Sequence, residues 1–123
     1  MKYRLLPSAL LSVLLFSPLS FADEESASEQ ILAECGEQPV QPEVPNGRQA
    51  TKEEMLAAQG AMKAFLAAGN TFMECLNKVE KGLDKDAKEQ RVAIVTLHNQ
   101  TVDAQQAIAD LFNAAVRAFN GKD

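Results

Sequence analysis

The sequence predicts an all-α protein: a coiled-coil-like, antiparallel two-helix hairpin with an extended Pro-rich N-terminal segment folded back along the first helix. From Thr51 onward, apolar residues recur alternately every three and four positions over four heptads, which is typical of a helix packed along its length. A second long stretch with this spacing follows after only a few residues, so the two helices should lie antiparallel. Prolines 39, 42 and 45 recur every third residue, which favours polyproline II.

The first residues have the pattern of a cleavable export signal. Lys2 and Arg4 precede a short apolar run, residues 5–16, and the small residues Ser20 and Ala22 occupy the −3 and −1 positions of a cleavage site. The run is shorter than the roughly 20 residues that a spanning helix needs. We therefore expect a signal peptide over residues 1–22 and a periplasmic or secreted protein without stable membrane insertion after cleavage.

The charge balance narrows the classes of partner. The chain has 12 Lys and Arg and 17 Asp and Glu. Loss of Lys2 and Arg4 with the signal peptide leaves a formal charge of 10 − 17 = −7. This charge argues against nucleic-acid binding, which needs clustered basic residues, and against adsorption to anionic lipid.

Residues 23–50 are predicted as an acidic and Pro-rich extended segment that precedes the helical hairpin, residues 51–123. Residues 23–37 carry six acids and no base. This stretch either is disordered or forms a short frayed helix around Gln30–Glu34, and whether residues 23–34 are ordered is left open. A turn is expected at Asn46-Gly47.

The first helix of the hairpin has a clear start and a continuous apolar seam. Thr51 and Glu54 match a capping box, and Gly82 and Asp84 are expected to end the helix. The seam consists of Met55, Ala58, Met62, Phe65, Gly69, Phe72, Leu76, Val79 and Leu83.

The second helix is predicted from about Ala87 to Phe119, with a cap near Asp86 and a stop at Asn120-Gly121. It has two neighbouring stripes: Ile94, Leu97, Thr101, Ala104, Ile108, Leu111, Ala115 and Ala118; and Val95, His98, Val102, Gln105, Ala109, Phe112, Val116 and Phe119. Together they exceed the seam that one partner helix covers. The surplus is available to the Pro-rich segment, a second copy or another protein.

Small residues on the first helix suggest where the Pro-rich segment packs. A predicted packing groove consists of Ala57, Ala61, Ala64, Ala68 and Thr71 and leads to Cys75. The 16 residues from Cys35 to Thr51 span about 50 Å as polyproline II, which exceeds the helical distance of about 36 Å from Thr51 to Cys75. We expect a Cys35–Cys75 disulfide, since an even cysteine pair in an exported chain favours one. The alternative is a flexible linker with two unrelated thiols.

The chain resembles a group of small, exported, uncharacterised proteobacterial helical-hairpin proteins over about Cys35 to Phe119. The resemblance rests on these residues: Cys35, Pro39, Pro42, Pro45-Asn46-Gly47, Ala50-Thr51, Glu54-Met55, Ala58-Gln59, Cys75-Leu76 and the ending from Phe112 to Phe119. It implies a fold and a compartment, and it implies no activity.

No catalytic residue, cofactor or metal ligand is assigned from the sequence. His98 is the only histidine and lies within an apolar stripe. We expect a non-enzymatic helical protein that acts by protein–protein contact, with an unidentified protein or a second copy as partner. The alternative is a small copper-type metal-handling protein that uses His98 and methionine side chains such as Met55, Met62 and Met73, since soft ligands select copper. Methionines at seam spacing more often fill a core.

Overall fold

The structure, a computed structural model, describes the backbone of residues 21–122 and side-chain burial from residue 25 to residue 122. Three helices, α1 (Phe21–Cys35), α2 (Lys52–Lys81) and α3 (Lys88–Asn120), follow one another in this region. The prediction of an all-α chain is confirmed for these residues. The predicted signal peptide, 1–22, lies outside the described residues except for Phe21 and Ala22, the first two positions of α1.

Helix α2 forms as its sequence predicts. The Glu54 backbone N–H donates to the Thr51 hydroxyl at 3.1 Å, and the Thr51 N–H donates to the Glu54 carboxylate at 3.1 Å. This capping box satisfies two backbone groups that the first turn leaves without helical partners. Every residue of the predicted seam is buried or half-buried, so this face of α2 is the one that packs.

Hydrogen bonds between α2 and α3 fix their relative direction. The Gln105 side-chain amide donates to the Leu66 carbonyl at 2.9 Å and to the Asn70 side chain at 3.0 Å. Near one end, the Arg91 guanidinium donates to the Leu83 carbonyl. Near the other, the Lys122 ammonium donates to the Ala50 carbonyl. Because later residues of α3 meet earlier residues of α2, the two helices run antiparallel.

The beginning of α3 differs from its prediction. Its N-cap is Ala87, which makes no side-chain capping bond, so the cap predicted near Asp86 is wrong. The loop is held instead by the Arg91 guanidinium, which reaches back to the carbonyls of Leu83 and Asp84 at 3.4 and 3.2 Å. These bonds satisfy carbonyls beyond the end of α2, a role that basic side chains often take.

Helix α1 is longer than the short helix around Gln30–Glu34 that the sequence allowed within its acidic segment, and it adds a third helix to the two that were predicted. Ala27 and Ile31 are one helical turn apart and only 3% and 2% exposed. They pack with Phe72, Leu76, Ala93, Ile94 and Leu97 of α2 and α3. Short helices are marginal alone and depend on tertiary packing. The apolar surface at this end of the hairpin supplies that packing, and the many acids of α1 lie around a narrow apolar side.

The disulfide is confirmed and joins the end of α1 to α2. Cys35 and Cys75 are bonded, with their Cα atoms 5.6 Å apart and a sequence separation of 40. Gly36 follows with a φ of 81°, a left-handed conformation that glycine adopts without steric cost. The chain therefore leaves the helix immediately after the bond and continues as an extended segment.

Residues 36–50, which we call the strap, lie along the seam between α2 and α3. Pro39, Pro42 and Pro45 are half-buried, while the intervening Val40 and Glu43 are exposed. Polyproline II has three residues per turn, so prolines at this spacing share one face. This spacing explains why the strap turns its prolines toward the helices.

The strap runs in the direction of α3. The Gln38 amide donates to the Leu97 carbonyl at 3.4 Å, and Val44 packs in a cluster with Phe112. Gly47 then lies so close to α3 that an added Cβ would stand 1.9 Å from the Ala115 carbonyl oxygen. The strap therefore runs parallel to α3: its contacts on α3 move from Leu97 to Ala115 as its own sequence moves from Gln38 to Gly47.

The predicted packing groove is not where the strap is buried. All five of its residues, Ala57, Ala61, Ala64, Ala68 and Thr71, are exposed. The strap instead shares a small cavity with Phe65 and Gly69 of α2 and with Thr101 of α3. The seam between two helices offers aromatic and backbone surface from both, which is more apolar area than the methyl groups of one helix provide.

Within residues 21–122, none of the three helices combines the length and the apolar content that crossing a membrane requires.

Candidate interaction surface

The α2–α3 seam has two sides, and the N-terminal part of the chain covers one of them. Gln100 and Gln105 are five residues apart on α3, which places them about 140° apart around the helix. Gln100 accepts a hydrogen bond from the strap residue Gln38 at 3.3 Å, whereas Gln105 bonds to Leu66 and Asn70 on the other side. The hydrogen bond from the strap therefore falls on the Gln100 side of the seam, and the bonds of Gln105 to α2 fall on the other.

A continuous stripe of uncharged residues lies on α3 beyond Gln105. Its members alternate in steps of three and four, as in a coiled-coil seam. We call it the outer stripe: Val92, Val95, Asn99, Val102, Gln106, Ala109, Asn113, Val116 and Asn120.

The outer stripe is open to solvent over most of its length. Val92, Val95 and Val102 are 48%, 57% and 42% exposed, and the four amide residues of the stripe are all exposed. Ala109 and Val116 are half-buried. Isolated exposed valines are ordinary on a protein surface. Here the valines form a periodic row. The row has no charged member, although 24% of the residues of the chain are charged, and this is the pattern of an interface.

The position of Val95 shows that the stripe is not an extension of the core there. Val95 and Leu97 are two residues apart and so lie about 160° apart around the helix. Leu97 is 5% exposed and packs against α1 and α2. Val95 therefore faces away from the hairpin, whereas Val116, near the other end of the stripe, packs against the cluster that contains Met55 of α2 and Ala50 of the strap.

The structure also contains two concavities that adjoin these surfaces. A cavity of about 110 Å³ lies under the strap among Gln38, Pro39, Phe65, Gly69 and Thr101. The Thr101 hydroxyl donates to the Leu97 carbonyl at 2.8 Å. Among the side chains that the structure describes, no buried polar atom lacks a partner.

The second concavity is a shallow apolar groove of about 240 Å³ at the end where α2 begins. Leu56, which is 56% exposed, lines it together with Met55, Phe112, Val116 and Phe119. Val116 also belongs to the outer stripe. The groove therefore continues the stripe toward the start of α2 and enlarges the uncharged surface there.

The residues of the metal-handling alternative are distributed over the seam. Met55 and Met62 pack in the apolar cluster with Phe112, and Met73 and His98 are half-buried. Residues 25–122 contain no group of three His, Cys, Asp or Glu side chains that could hold a metal ion. Metal handling stays a prediction.

Sequence reasoning identified part of the outer stripe and misassigned its register. It grouped Val95 and Val102 with Phe112, although Phe112 is buried. The signal that separates the two faces is charge rather than hydrophobicity. The row that contains Asn99 and Gln106 has no charged residue from Val92 to Asn120, and its amides are not apolar, so a purely hydrophobic pattern does not include them.

Comparison with known proteins gives no relative for this chain: no family model, no curated protein and no solved structure matches it.

Proposed function

We propose that the protein is a secreted or periplasmic, non-enzymatic helical protein that acts by protein–protein contact through the outer stripe. The observation that carries the proposal is the exposed, charge-free, three-four repeat on α3, opposite the face that packs in the hairpin. Interface cores are depleted in charged residues relative to the rest of a protein surface. The stripe has this composition in an otherwise strongly acidic chain.

The rest of the chain serves as a stiff scaffold for this surface. We propose a coiled-coil-like antiparallel hairpin of α2 and α3, clamped on one side by α1 and the strap. The Gln105–Leu66 bond and the Cys35–Cys75 disulfide support this arrangement. A disulfide is compatible with an oxidising compartment, which supports the proposed location outside the cytoplasm.

Photocrosslinking in producing cells tests the proposal. A photoreactive amino acid is placed at Val102 in the stripe or at Leu111, which is 51% exposed on the strap side of α3. We expect a discrete crosslinked species from position 102 and none from position 111, because only the stripe contacts a partner. Equal labelling from both positions, or no species from either, would contradict the assignment of function to the stripe.

A further inference from the structure

We propose that the partner of the outer stripe is a second copy of this chain, bound stripe to stripe with the two α3 helices parallel and in register. This inference rests on the proposed function and names its partner. The two copies would be related by a two-fold axis along the helices, so the same residues meet across it.

The order of residues in the stripe favours pairing with itself. In heptad notation, the a positions are Val92 and then the four amides Asn99, Gln106, Asn113 and Asn120. The d positions are Val95, Val102, Ala109 and Val116. In a parallel pair, a meets a and d meets d. Amide then opposes amide, which allows hydrogen bonds between copies, and Val packs against Val.

An antiparallel pair loses this match. Reversing one helix places a positions opposite d positions, so amides such as Asn99 would face valines. A polar side chain buried against an apolar one without a partner costs free energy. A polar residue at an a position is the recognised device by which coiled coils fix register, and this stripe repeats it at successive heptads.

The charges beside the stripe favour the same orientation. The two flanks differ in charge. The e positions are Thr96, Asp103, Asp110 and Arg117, and the g positions are Arg91, His98, Gln105, Phe112 and Phe119. In a parallel pair, a g residue faces the e residue five positions later in the other copy. Asp103 then faces His98 and Asp110 faces Gln105, so no carboxylate opposes a carboxylate.

An antiparallel pair brings like flanks together, so Asp103 and Asp110 of the two copies approach one another in every register that does not match them to Arg117. Like charges across an interface are unfavourable and act against wrong partners. A strongly acidic chain has few uncharged surfaces on which two copies can meet. The outer stripe is such a surface, and in the parallel orientation no like charges of its flanks oppose one another.

Sedimentation equilibrium of the purified protein over a range of concentrations provides the first test. We expect a concentration-dependent dimer. Val102→Asp should weaken it at least about tenfold, because the dimer would bury two unpaired carboxylates. Leu111→Asp, the same type of change at an exposed site off the stripe, should leave association unchanged. A monomer at every concentration, or a dimer unaffected by Val102→Asp, would overturn the proposal.

Cysteine crosslinking under mild oxidation tests the register. Asn99→Cys and Asn113→Cys should each form a homodimeric disulfide, since each position meets itself only in a parallel pair, and Ala107→Cys on another exposed face should not. Peptide mapping must show the Cys35–Cys75 bond intact. Crosslinking of Asn99→Cys only to an admixed Val116→Cys variant, an a position to a d position, would indicate an antiparallel pair and refute the register.

These tests separate the partner from the function. If the purified protein is monomeric while position 102 still crosslinks to a different protein in cells, the second copy is the wrong partner and function by contact stands. If position 102 gives no crosslink in cells either, both proposals fail.

Discussion

Replacement of Gly47 by alanine measures how closely the strap must approach α3. Gly47 is buried, and an added Cβ would stand 1.9 Å from the Ala115 carbonyl oxygen and 2.8 Å from its carbon. Both are helix backbone atoms, so no side-chain rotation relieves the clash. Reaching a separation of 3.0 Å, below which real Cβ contacts are essentially not found, requires a shift of 3.0 − 1.9 = 1.1 Å.

The expected loss of stability in Gly47→Ala follows from this shift. Gly36 is the glycine with a positive φ in residues 21–122, so the backbone of Gly47 is open to alanine and the cost is steric. Overpacking of this kind costs about 1–3 kcal/mol. For a domain of this size, about 2 kcal/mol corresponds to a melting temperature about 10 °C lower. Loosened packing of Val44 and Ala50, which flank Gly47 and belong to the same cluster, contributes to the loss.

Reversible thermal and urea unfolding, followed by circular dichroism, provides the assay. Gly60→Ala is the matched control, because Gly60 lies inside α2 and its added Cβ meets nothing within 4 Å. That change should stabilise the protein by about 1 kcal/mol through helix propensity. If Gly47→Ala were as stable as the original protein, the strap would not lie against α3 as described.

Three further substitutions test the scaffold by the same unfolding assay. The Cys35→Ser, Cys75→Ser double variant should lose about 4 kcal/mol, the chain-entropy value for a loop of about 40 residues, and an unchanged melting temperature would contradict a structural disulfide. Thr51→Ala removes the capping box and should cost about 1 kcal/mol, whereas no loss would mean that the first turn of α2 is held by other contacts. Ala64→Leu lies on the exposed side of α2 and should change stability by less than about 0.5 kcal/mol, so a large loss would restore the groove predicted from the sequence.

The helix α2 and the disulfide were predictable because each depends on local or pairwise signals. The seam from Met55 to Leu83 has the helical period, and Thr51 and Glu54 mark its start chemically. Cys35 and Cys75 are the two cysteines of the chain, which leaves one intramolecular pairing. Each of these inferences required only spacing and residue type.

Helix α1 and the surface on which the strap packs were not predictable in the same way. Ala27 and Ile31 form a helix face only because Phe72 and Leu97 offer surface for it, and this tertiary contact has no local signal. The strap contacts α3 at Leu97 and Ala115. The surface on which the strap packs was predicted to be the row of small residues on α2. The sequence does not show that α2 and α3 leave the seam between them uncovered and that Pro39 fills it.

The outer stripe was missed for a related reason. From the sequence alone, exposed amides such as Asn99 and Gln106 resemble ordinary surface residues. The structure shows that they lie in line with Val95 and Val102. Only the orientation of α3 against α1 and α2 shows that this row faces outward.

Coverage of the outer stripe by a partner can be measured by the solvent accessibility of valine methyl groups. Val40 on the strap is 89% exposed and serves as an internal reference in the same molecule as Val102. NMR relaxation by a soluble paramagnetic agent, measured as protein concentration rises, reports both. We expect the methyls of Val95 and Val102 to become protected while those of Val40 stay accessible. Val102 methyls that remain as accessible as those of Val40 at every concentration, and also after addition of native envelope extract, would contradict this expectation.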